Sequence, residues 1–442
     1  MNLRPFFSRL GSHRTPAFSP EEAAINSELV EFHPCATDLS LQRLRRFAPF
    51  NALKYLQRHP DVANSGADPY LHYMTHGFCE LREQDVVQIA RQVGRVVHEQ
   101  VEDTVPLPCI SLATAKVEVL CSSRGNSFMR PLGLHLAHGL SRCGADVIVQ
   151  DENSDLNGWA DYRIIVAPHE FFHAGCGEKW NNSKVLANTL MLSTEQIQTQ
   201  WYWTSLPYLL MSRGVIDLFP HSVKLLNEAG VPSIYFAPNP APAKISQSMD
   251  LLHKHPLFTA LPEDAKQPSD GSLLRQKRAI DITFFGTSSS HRSKVLARCA
   301  PYFAELESFI YYRQIARGPL EKADGSLSLL AEHVSRHSKI CLNIHRDHFG
   351  SFEWQRIVEL GMCSGALVVS EPCLRVPDIV PGEHYIEVES KNMGEMLAWL
   401  LNDSDGQELN DIIRHNASQL VAKAYEANTS ACQVAAFLKA LP

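Results

Sequence analysis

Three charged residues recur at three-residue intervals in the stretch FEWQRIVELGMCSGALVVSEP (352–372), namely Glu353, Arg356 and Glu359. The pattern predicts a helix that stops at a glycine, followed by a buried strand. Side chains three residues apart share a helix face in part, so these charges form either a ladder of ion pairs or a face that binds a ligand. A ladder is typical of a solvated helix and contributes only about 0.2–0.5 kcal/mol per pair.

The preceding loop, HRDHFGS (345–351), adds further candidate ligand-binding residues. His345 and Arg346 end the apolar strand KICLNI, while Gly350 and Ser351 stand at the start of the helix, where Ser351 can act as an N-cap. Ligands of open parallel sheets bind beyond the carboxyl ends of the strands. We therefore expect this loop to line a binding cleft.

A second candidate loop lies in FFGTSSSHRSKVL (284–296), where Gly286 and Ser288 follow a buried strand and Arg292 lies near the start of the next helix. Cations at that position oppose the helix dipole unless an anion is close by. The pattern favours a phosphate site, and the alternative is a surface helix with solvated bases.

A third candidate loop is CSSRGNSF (121–128), which contains Gly125, Asn126 and Ser127. Small residues allow a ligand to approach the backbone, and the following helix start attracts anions. With a single glycine the loop is not a dinucleotide fingerprint, and a plain tight turn is the alternative.

Polar residues also follow two strands in the first half of the chain. His169 in VAPHEFFH comes after one strand, where it is either a catalytic base or a structural histidine. Glu195 lies at the end of the strand LML, ahead of the aromatic cluster WYW (201–203). Such rings stack on carbohydrates, but they more commonly pack a helix onto a sheet.

The histidine pattern does not favour a metal site. His333 and His337 are four residues apart on one predicted helix, but the sequence has no HExxH motif. We therefore predict no bound metal.

Composition describes a globular protein of 442 residues with 45% hydrophobic and 20% charged residues. A formal net charge of -7 argues against a general nucleic-acid binder. The 11 cysteines form no C-x-x-C pair, which favours free thiols in a reducing cytoplasm. No apolar run reaches the roughly 18 residues needed to span a bilayer, so membrane association would require a partner or a peripheral surface.

The order of the elements predicts an α/β protein with two Rossmann-like domains and a small all-α module at the N-terminus. Repeated strand–loop–helix units indicate parallel sheets, and Pro60 and Pro69 shorten the first helices. The predicted regions are a disordered tail (1–27), a helical accessory module (28–105), a first Rossmann-like domain (112–240), a linker (241–278), a second Rossmann-like domain (279–405) and C-terminal helices (406–442).

The order of STEQ, GVIDLFPHSVKLLNEAGVPSIYFAP, DITFFGTSSSHR, LNIHRDH and QRIVELGMCSGALVVSEP resembles bacterial glycosyltransferases of the GT-B fold, and most nearly the spore-maturation-protein-like group. The resemblance spans about residues 115–400. Upstream, YLQRHPDVANSGADPYLHYMTHGFCELRE (55–83) is similar to a helical module found beside polysaccharide glycosyltransferases, although ELR replaces its usual EGR.

The resemblance implies roles for the candidate residues. The second domain would bind a nucleotide-sugar donor, with Glu359 on the ribose, Arg356 as a support or phosphate ligand, and the Gly286–Arg292 loop facing the diphosphate. The family usually needs no metal or other cofactor. Many retaining members carry E-x7-E, whereas five residues separate Glu353 from Glu359 here, which leaves retaining or inverting chemistry open.

The resemblance further implies a cytoplasmic enzyme that moves a sugar from a nucleoside diphosphate to a hydroxyl of a glycan, a lipid-linked saccharide or a protein. An inverting reaction needs a base in the first domain, for which Glu195 and His169 are the candidates. The alternatives are an epimerase-like enzyme that acts on nucleotide sugars and an inactive scaffold that binds glycans.

Overall fold

A computed structural model describes residues 36–82, 85–98, 111–126, 128–158, 160–173, 175–239, 249–253, 255–268, 274, 277–314 and 326–441. Two parallel sheets of six and five strands, with helices between the strands, form the body of the protein. This confirms the predicted α/β class with two Rossmann-like sheets. In the described residues, no helix is both long enough and apolar enough to cross a membrane.

The chain begins with a helical module that packs on the first sheet's domain. Its helices are α1 (Asp38–Arg46), α2 (Ala52–Arg58), α3 (Pro60–Ser65), α4 (Pro69–His72) with a π-helical turn (Tyr73–Gly77), and α5 (Val86–His98). Prolines start α3 and α4, which are short. Tyr55 packs within the module, while Phe47 and Tyr73 contact Trp203 of the first domain.

The first sheet has the strand order β2-β1-β3-β4-β5-β6, and all of its pairings are parallel. Its central strands are apolar because both faces are covered. The strands are β1 (Lys116–Leu120), β2 (Asp146–Gln150), β3 (Tyr162–Val166), β4 (Leu190–Ser193), β5 (Gly214–Asp217) and β6 (Ser233–Tyr235). The helices are α6 (Met129–Arg142), α7 (Pro168–His173), α8 (Ser183–Leu186), α9 (Gln200–Met211) and α10 (Pro220–Glu228).

The second sheet has the order β11-β10-β9-β7-β8 and is also parallel. A short helix, α11 (Met249–His253), precedes it. The strands are β7 (Ile280–Thr287), β8 (Ser308–Arg313), β9 (Ser338–Asn343), β10 (Leu367–Ser370) and β11 (Ile386–Glu387). The helices between them are α12 (Ser290–Phe303) and α13 (Ser326–Arg336).

Three helices close the chain: α14 (Met393–Asn402), α15 (Ser404–Ala427) and α16 (Thr429–Ala440). The last one returns to the first domain, where the hydroxyl of Ser430 accepts a hydrogen bond from the Ala237 amide at 2.8 Å. Cys432 and Val434 are buried in the core of the first sheet. The C-terminus therefore ties the second domain back to the first.

The segment that joins β9 to β10 differs from the regular α-helix that its sequence predicts. Gln355–Gly361 is π-helical, and a 3₁₀ turn (Met362–Ser364) follows it before Gly365 ends the segment with φ of 65°. The segment sits between the two sheets, where Phe352 and Trp354 join the hydrophobic core of the first domain. Its residues pack against both sheets, and the spacing of the sequence does not indicate the irregular winding.

Candidate functional site

The carboxyl ends of the two sheets face each other and are joined by hydrogen bonds. The amide of Gln196, beyond β4, donates to Glu353 Oε1 at 2.6 Å. The Ser351 hydroxyl donates to Gln198 Oε1 at 3.3 Å, and the Trp354 indole N–H donates to the Leu218 carbonyl at 3.0 Å. Ser351 is thus a contact between the domains and not the N-cap that its position predicts.

Glu353 lies at the centre of this contact. Its Oε1 is 3.0 Å from a terminal nitrogen of Arg356, whose Nε donates to Asn343 Oδ1 at 2.8 Å. Burial opposes ionisation of Glu353, but the charges of Arg356 and Arg292 outweigh it and hold the pKa of Glu353 below its ordinary value. Glu353 is therefore a carboxylate at neutral pH, and its charge balances only part of the positive charge around it.

Arg292 is held deeper in the second domain. Its Nε donates to the Ile344 carbonyl at 2.9 Å and its NH1 to the Thr287 carbonyl at 3.0 Å. Gly286 leaves room for the Phe284 ring, since a Cβ at this position would lie 2.6 Å from Phe284 Cζ. Burial and the nearby charge of Arg356 lower the pKa of Arg292 to about 9, so the guanidinium remains charged at neutral pH.

Glu371 connects the two predicted loops of the second domain. One of its oxygens lies 2.8 Å from His291 Nε2, and the other accepts the backbone amide of His345 at 2.8 Å. Gly350 packs against this region, where a Cβ would come within 2.4 Å of the Pro372 carbonyl. The two loops are therefore fixed relative to each other before any ligand binds.

The remaining predicted residues of these loops lie at their edges. The Ser288 amide donates to the Arg313 carbonyl at 2.7 Å, which pairs the loop with β8. Arg346 is exposed at the cleft. Its positive charge favours the ionised form of Glu195 in the first domain and so opposes the rise in the pKa of Glu195.

Glu359 does not extend the ion pair of Glu353 and Arg356 into a ladder. Its Oε1 instead lies 3.6 Å from Nε2 of His135 on α6. The π-helical winding, whose hydrogen bonds run from residue i to i+5, explains why the three-residue spacing does not align the charges.

On the first sheet, His169 lies between two carboxyl groups. Its Nε2 is 3.5 Å from Glu195 Oε1 and 4.0 Å from Glu170 Oε1, while its Nδ1 is 3.3 Å from the Ser205 hydroxyl. His169 is only 3% exposed, and burial together with the charge of His173 lowers its pKa to about 3. It is therefore a neutral ring that holds its neighbours in place.

Both flanking carboxyl groups ionise with difficulty. Burial, followed by the charge of Glu353, raises the pKa of Glu195 to about 7. Burial raises the pKa of Glu170 to about 8. The hydrogen bond that Glu170 accepts from the Asn126 backbone amide partly opposes this shift. Groups that titrate near neutral pH are suited to accept and release protons.

Glu170 is the residue of this group that sequence reasoning missed. It lines a cavity at the ends of β1 and β3, next to Asn126 of the predicted CSSRGNSF loop. Gly125 turns the loop with φ of +119°, and a Cβ there would lie 2.5 Å from Glu170 Oε2. Ser127 lies outside the described residues. The sequence does contain an indication of this role, because Glu170 comes directly after His169 beyond the same strand.

The other sequence candidates have structural contacts. His333 Nε2 bonds the Ala265 carbonyl at 2.6 Å, and His337 Nδ1 bonds the His333 carbonyl at 2.9 Å. Tyr202 and Trp203 are buried against the helical module, while Trp201 is 44% exposed and lies 5.8 Å from His169. Two of the three rings therefore serve packing.

The cleft can hold an anion on one side and remove a proton on the other. In the second domain, Arg292 and Arg356 lie beside the Glu353 carboxylate, and Arg346 acts on Arg292 and on Glu195. The terminal nitrogen of Arg356 is buried beside Glu353 and makes no well-directed hydrogen bond within the described residues. Glu170 and Glu195 stand on the opposite edge.

No protein-family model and no curated protein sequence matches the chain. Among solved structures, Anabaena HepE in complex with UDP-glucose is 13% identical and aligns with a TM-score of 0.42 over 74% of this chain and 100% of that one. A Rickettsia africae glycosyltransferase is 12% identical, with a TM-score of 0.41 over 75% and 99% of the two chains. At this level the similarity carries no conclusion about the activity of this chain.

Proposed function

We propose that the protein transfers a sugar from a nucleoside-diphosphate donor to a hydroxyl group of an acceptor, in the two-domain arrangement called GT-B. The observation that carries the proposal is the meeting of the two sheets, where Gln196 bonds Glu353 beside Arg356. Open parallel sheets bind ligands at this edge. A cleft formed by two such edges brings a donor and an acceptor together.

In this proposal the second domain binds the donor. The diphosphate lies at the start of α12, close to Arg292 and Arg356, where the helix dipole and the unbalanced positive charge favour an anion. The same groups stabilise the negative charge that develops on the departing diphosphate. They offer that stabilisation without a metal ion, in line with the motif resemblance.

Glu353 and Glu359 take different roles. The Glu353 carboxylate is in the cleft and can accept hydrogen bonds from hydroxyls of the donor sugar while it holds Arg356 in place. Glu359 is the residue that the motif resemblance assigns to the ribose. It lies against His135 of α6, so that in this proposal it would bind the ribose at the junction of the two domains.

The first domain provides the base. Glu170 borders an open cavity, whereas Glu195 is bonded to the Thr199 hydroxyl at 3.3 Å and His169 is almost fully buried. We assign the proton transfer to Glu170, with His169 and Glu195 as positioning residues. A base that takes the proton of the attacking hydroxyl corresponds to a single displacement at the sugar carbon.

Thermal-shift titration of the full chain with UDP, GDP, CDP and dTDP and with their sugars tests the donor site. At least one diphosphate should raise Tm, because a ligand that binds only the folded state stabilises it. Arg356→Gln should weaken that shift, whereas Arg298→Gln, an exposed position on α12, should not. No stabilisation by any of the four would reject the proposal, and turnover of a donor without an acceptor would indicate an epimerase.

A further inference from the structure

A cavity of about 200 Å³ opens beyond β1, β2 and β3, on the acceptor side of the proposed cleft. It is smaller than the roughly 300–1,000 Å³ pockets that enclose drug-sized ligands, and its size suits a single sugar ring. Its lining includes two basic and two acidic residues, namely Arg124, Arg130, Asp151 and Glu170.

The cavity lining holds two arginines, and neither of them is paired with an acidic side chain among the described residues. In the described part of the chain, neither Arg124 nor Arg130 forms an ion pair, and both side chains are exposed at the cavity. Asp151, the acidic neighbour, accepts the backbone amide of Asn153 at 2.9 Å. Burial raises the pKa of Glu170 to about 8, so its carboxyl group is mostly uncharged at pH 7. The cavity therefore presents two exposed guanidinium groups that are free to bind an anionic group of a ligand.

Two buried carboxyl groups fix the loop that carries Arg124. Glu152, which is 1% exposed, accepts the backbone amide of Ser123 at 2.8 Å and its hydroxyl at 2.5 Å. On the other side of Arg124, Glu170 accepts the Asn126 amide at 3.0 Å. The backbone on both sides of Arg124 is therefore held in place, which reduces the ordering cost of binding a ligand there.

We propose that this cavity binds an acceptor sugar that carries an anionic group, and that Arg124 and Arg130 recognise its phosphate or carboxylate. The inference rests on the proposed function and adds the class of the acceptor to it. Hydrogen bonds between guanidinium and an anionic oxygen are stronger than neutral ones, and a fixed arginine adds geometric selectivity. Glu170 lies in the same cavity, where its ionised form can receive the proton of the sugar hydroxyl.

Calorimetric titration of the full chain with three sugars tests this inference. Methyl glucoside is the neutral probe, methyl glucuronide presents a carboxylate on the same ring, and glucose 6-phosphate presents a phosphate. At least one anionic sugar should bind roughly tenfold more tightly than the neutral one, as expected for a charge-assisted contact. The comparison of the two anionic probes identifies which group the arginines prefer.

The double variant Arg124→Gln/Arg130→Gln should reduce the affinity for the anionic sugar to that for methyl glucoside, and Arg298→Gln should leave the preference unchanged. Equal binding of neutral and anionic sugars by the unmodified chain would overturn the inference, as would a preference that survives the double substitution.

Nucleoside-diphosphate binding, measured in parallel, separates the two proposals. A chain that binds a diphosphate without preferring anionic sugars keeps the donor site and loses this inference. A preference for anionic sugars without diphosphate binding rejects the proposed transfer and, with it, the acceptor role. Loss of diphosphate binding in the double variant would assign the arginines to the donor and overturn the inference.

Discussion

Gln196 and Glu353 are 157 residues apart in the chain, yet the amide of one donates to the carboxylate of the other at 2.6 Å. Each residue stands beyond the carboxyl end of a strand in a different sheet. Because Glu353 also pairs with Arg356, this hydrogen bond links the first domain directly to the charged cluster of the second. The bond is one of several that join the two halves of the proposed active site.

Replacing Glu353 by Gln should reduce sugar transfer by about 10²-fold or more, the usual effect of removing one preorganised polar contact. Diphosphate affinity should not fall, because the substitution removes a negative charge beside Arg356 and Arg292. Steady-state kinetics and diphosphate titration of the same preparation measure both quantities. An unchanged transfer rate would remove Glu353 from the mechanism.

Glu359→Gln is the matched comparison, since it changes the same residue type six positions along the same segment. If Glu359 holds the ribose, as the motif resemblance implies, the variant should bind a nucleoside diphosphate less tightly and should bind inorganic pyrophosphate as before. Equal loss for both ligands would contradict a ribose contact. No loss for either would leave Glu359 with only its contact to His135.

The proposed base predicts a pH dependence. Glu170 must be ionised to accept a proton, and its pKa is raised to about 8, so the transfer rate should rise with pH and level off above about pH 8. Glu170→Gln should remove most of the activity and abolish this rise, while diphosphate binding stays intact. The transfer rate of the unmodified enzyme should be measured from about pH 6 to about pH 9. A rate that stays constant over this range would contradict the assignment.

Asp217 provides a stability test that is independent of activity. It is fully buried at the end of β5, where its oxygens accept the Phe219 amide at 2.8 Å and the Ser222 hydroxyl at 2.7 Å. Burial raises its pKa from 3.8 to about 7 despite these bonds. The folded protein therefore binds a proton at Asp217 more tightly than the unfolded chain does. This difference stabilises the folded state fully below pH 3.8, and the stabilisation is lost as the pH rises through about 7.

Asp217→Asn removes this titration. The variant should gain stability relative to the unmodified chain as the pH rises from 5 to 8, by an amount on the order of 3 kcal/mol. Urea denaturation at the two pH values measures the difference. A difference that is the same at both pH values would show that Asp217 is ionised in the folded protein throughout.

Arg43 should contribute to the stability of the whole chain. It is 9% exposed, and its NH1 donates to the carbonyls of Leu210 at 2.8 Å and Ser212 at 3.0 Å, at the end of α9. Arg43→Met should lower the free energy of unfolding by about 1–3 kcal/mol, because buried carbonyls lose their donor. Arg45→Met, which affects a half-exposed pair with Asp68, should cost less than about 1 kcal/mol. Equal effects in urea denaturation would contradict this role of Arg43.

Element order was predictable from the sequence because each β-strand is a short apolar run bounded by turn residues. The runs KVEVL, LMLS and SKICLN all form strands, and their parallel pairing follows from the helices between them. The loops at the carboxyl ends of these strands follow from the same reasoning. For that reason His345, Arg292 and Glu195 were identifiable as candidates without a structure.

Partners across the cleft were not predictable, because they depend on contacts between residues far apart in the chain. Nothing local to Glu353 indicates Gln196, and nothing local to Glu359 indicates His135. The π-helical winding of Gln355–Gly361 is likewise not indicated by the local sequence pattern. The raised pKa of Glu170 is also a result of burial in the folded chain, which its position next to His169 in the sequence does not indicate.

The contact between the helical module and α9 has a practical consequence for producing the protein. Trp203 is only 2% exposed, because Phe47 and Tyr73 of the module cover its ring, and the Tyr73 hydroxyl donates to the Trp203 carbonyl at 2.5 Å. A shortened chain that begins after the module would present these apolar surfaces to solvent, and we expect it to aggregate. Expression of the two-sheet body should therefore retain residues 36–98.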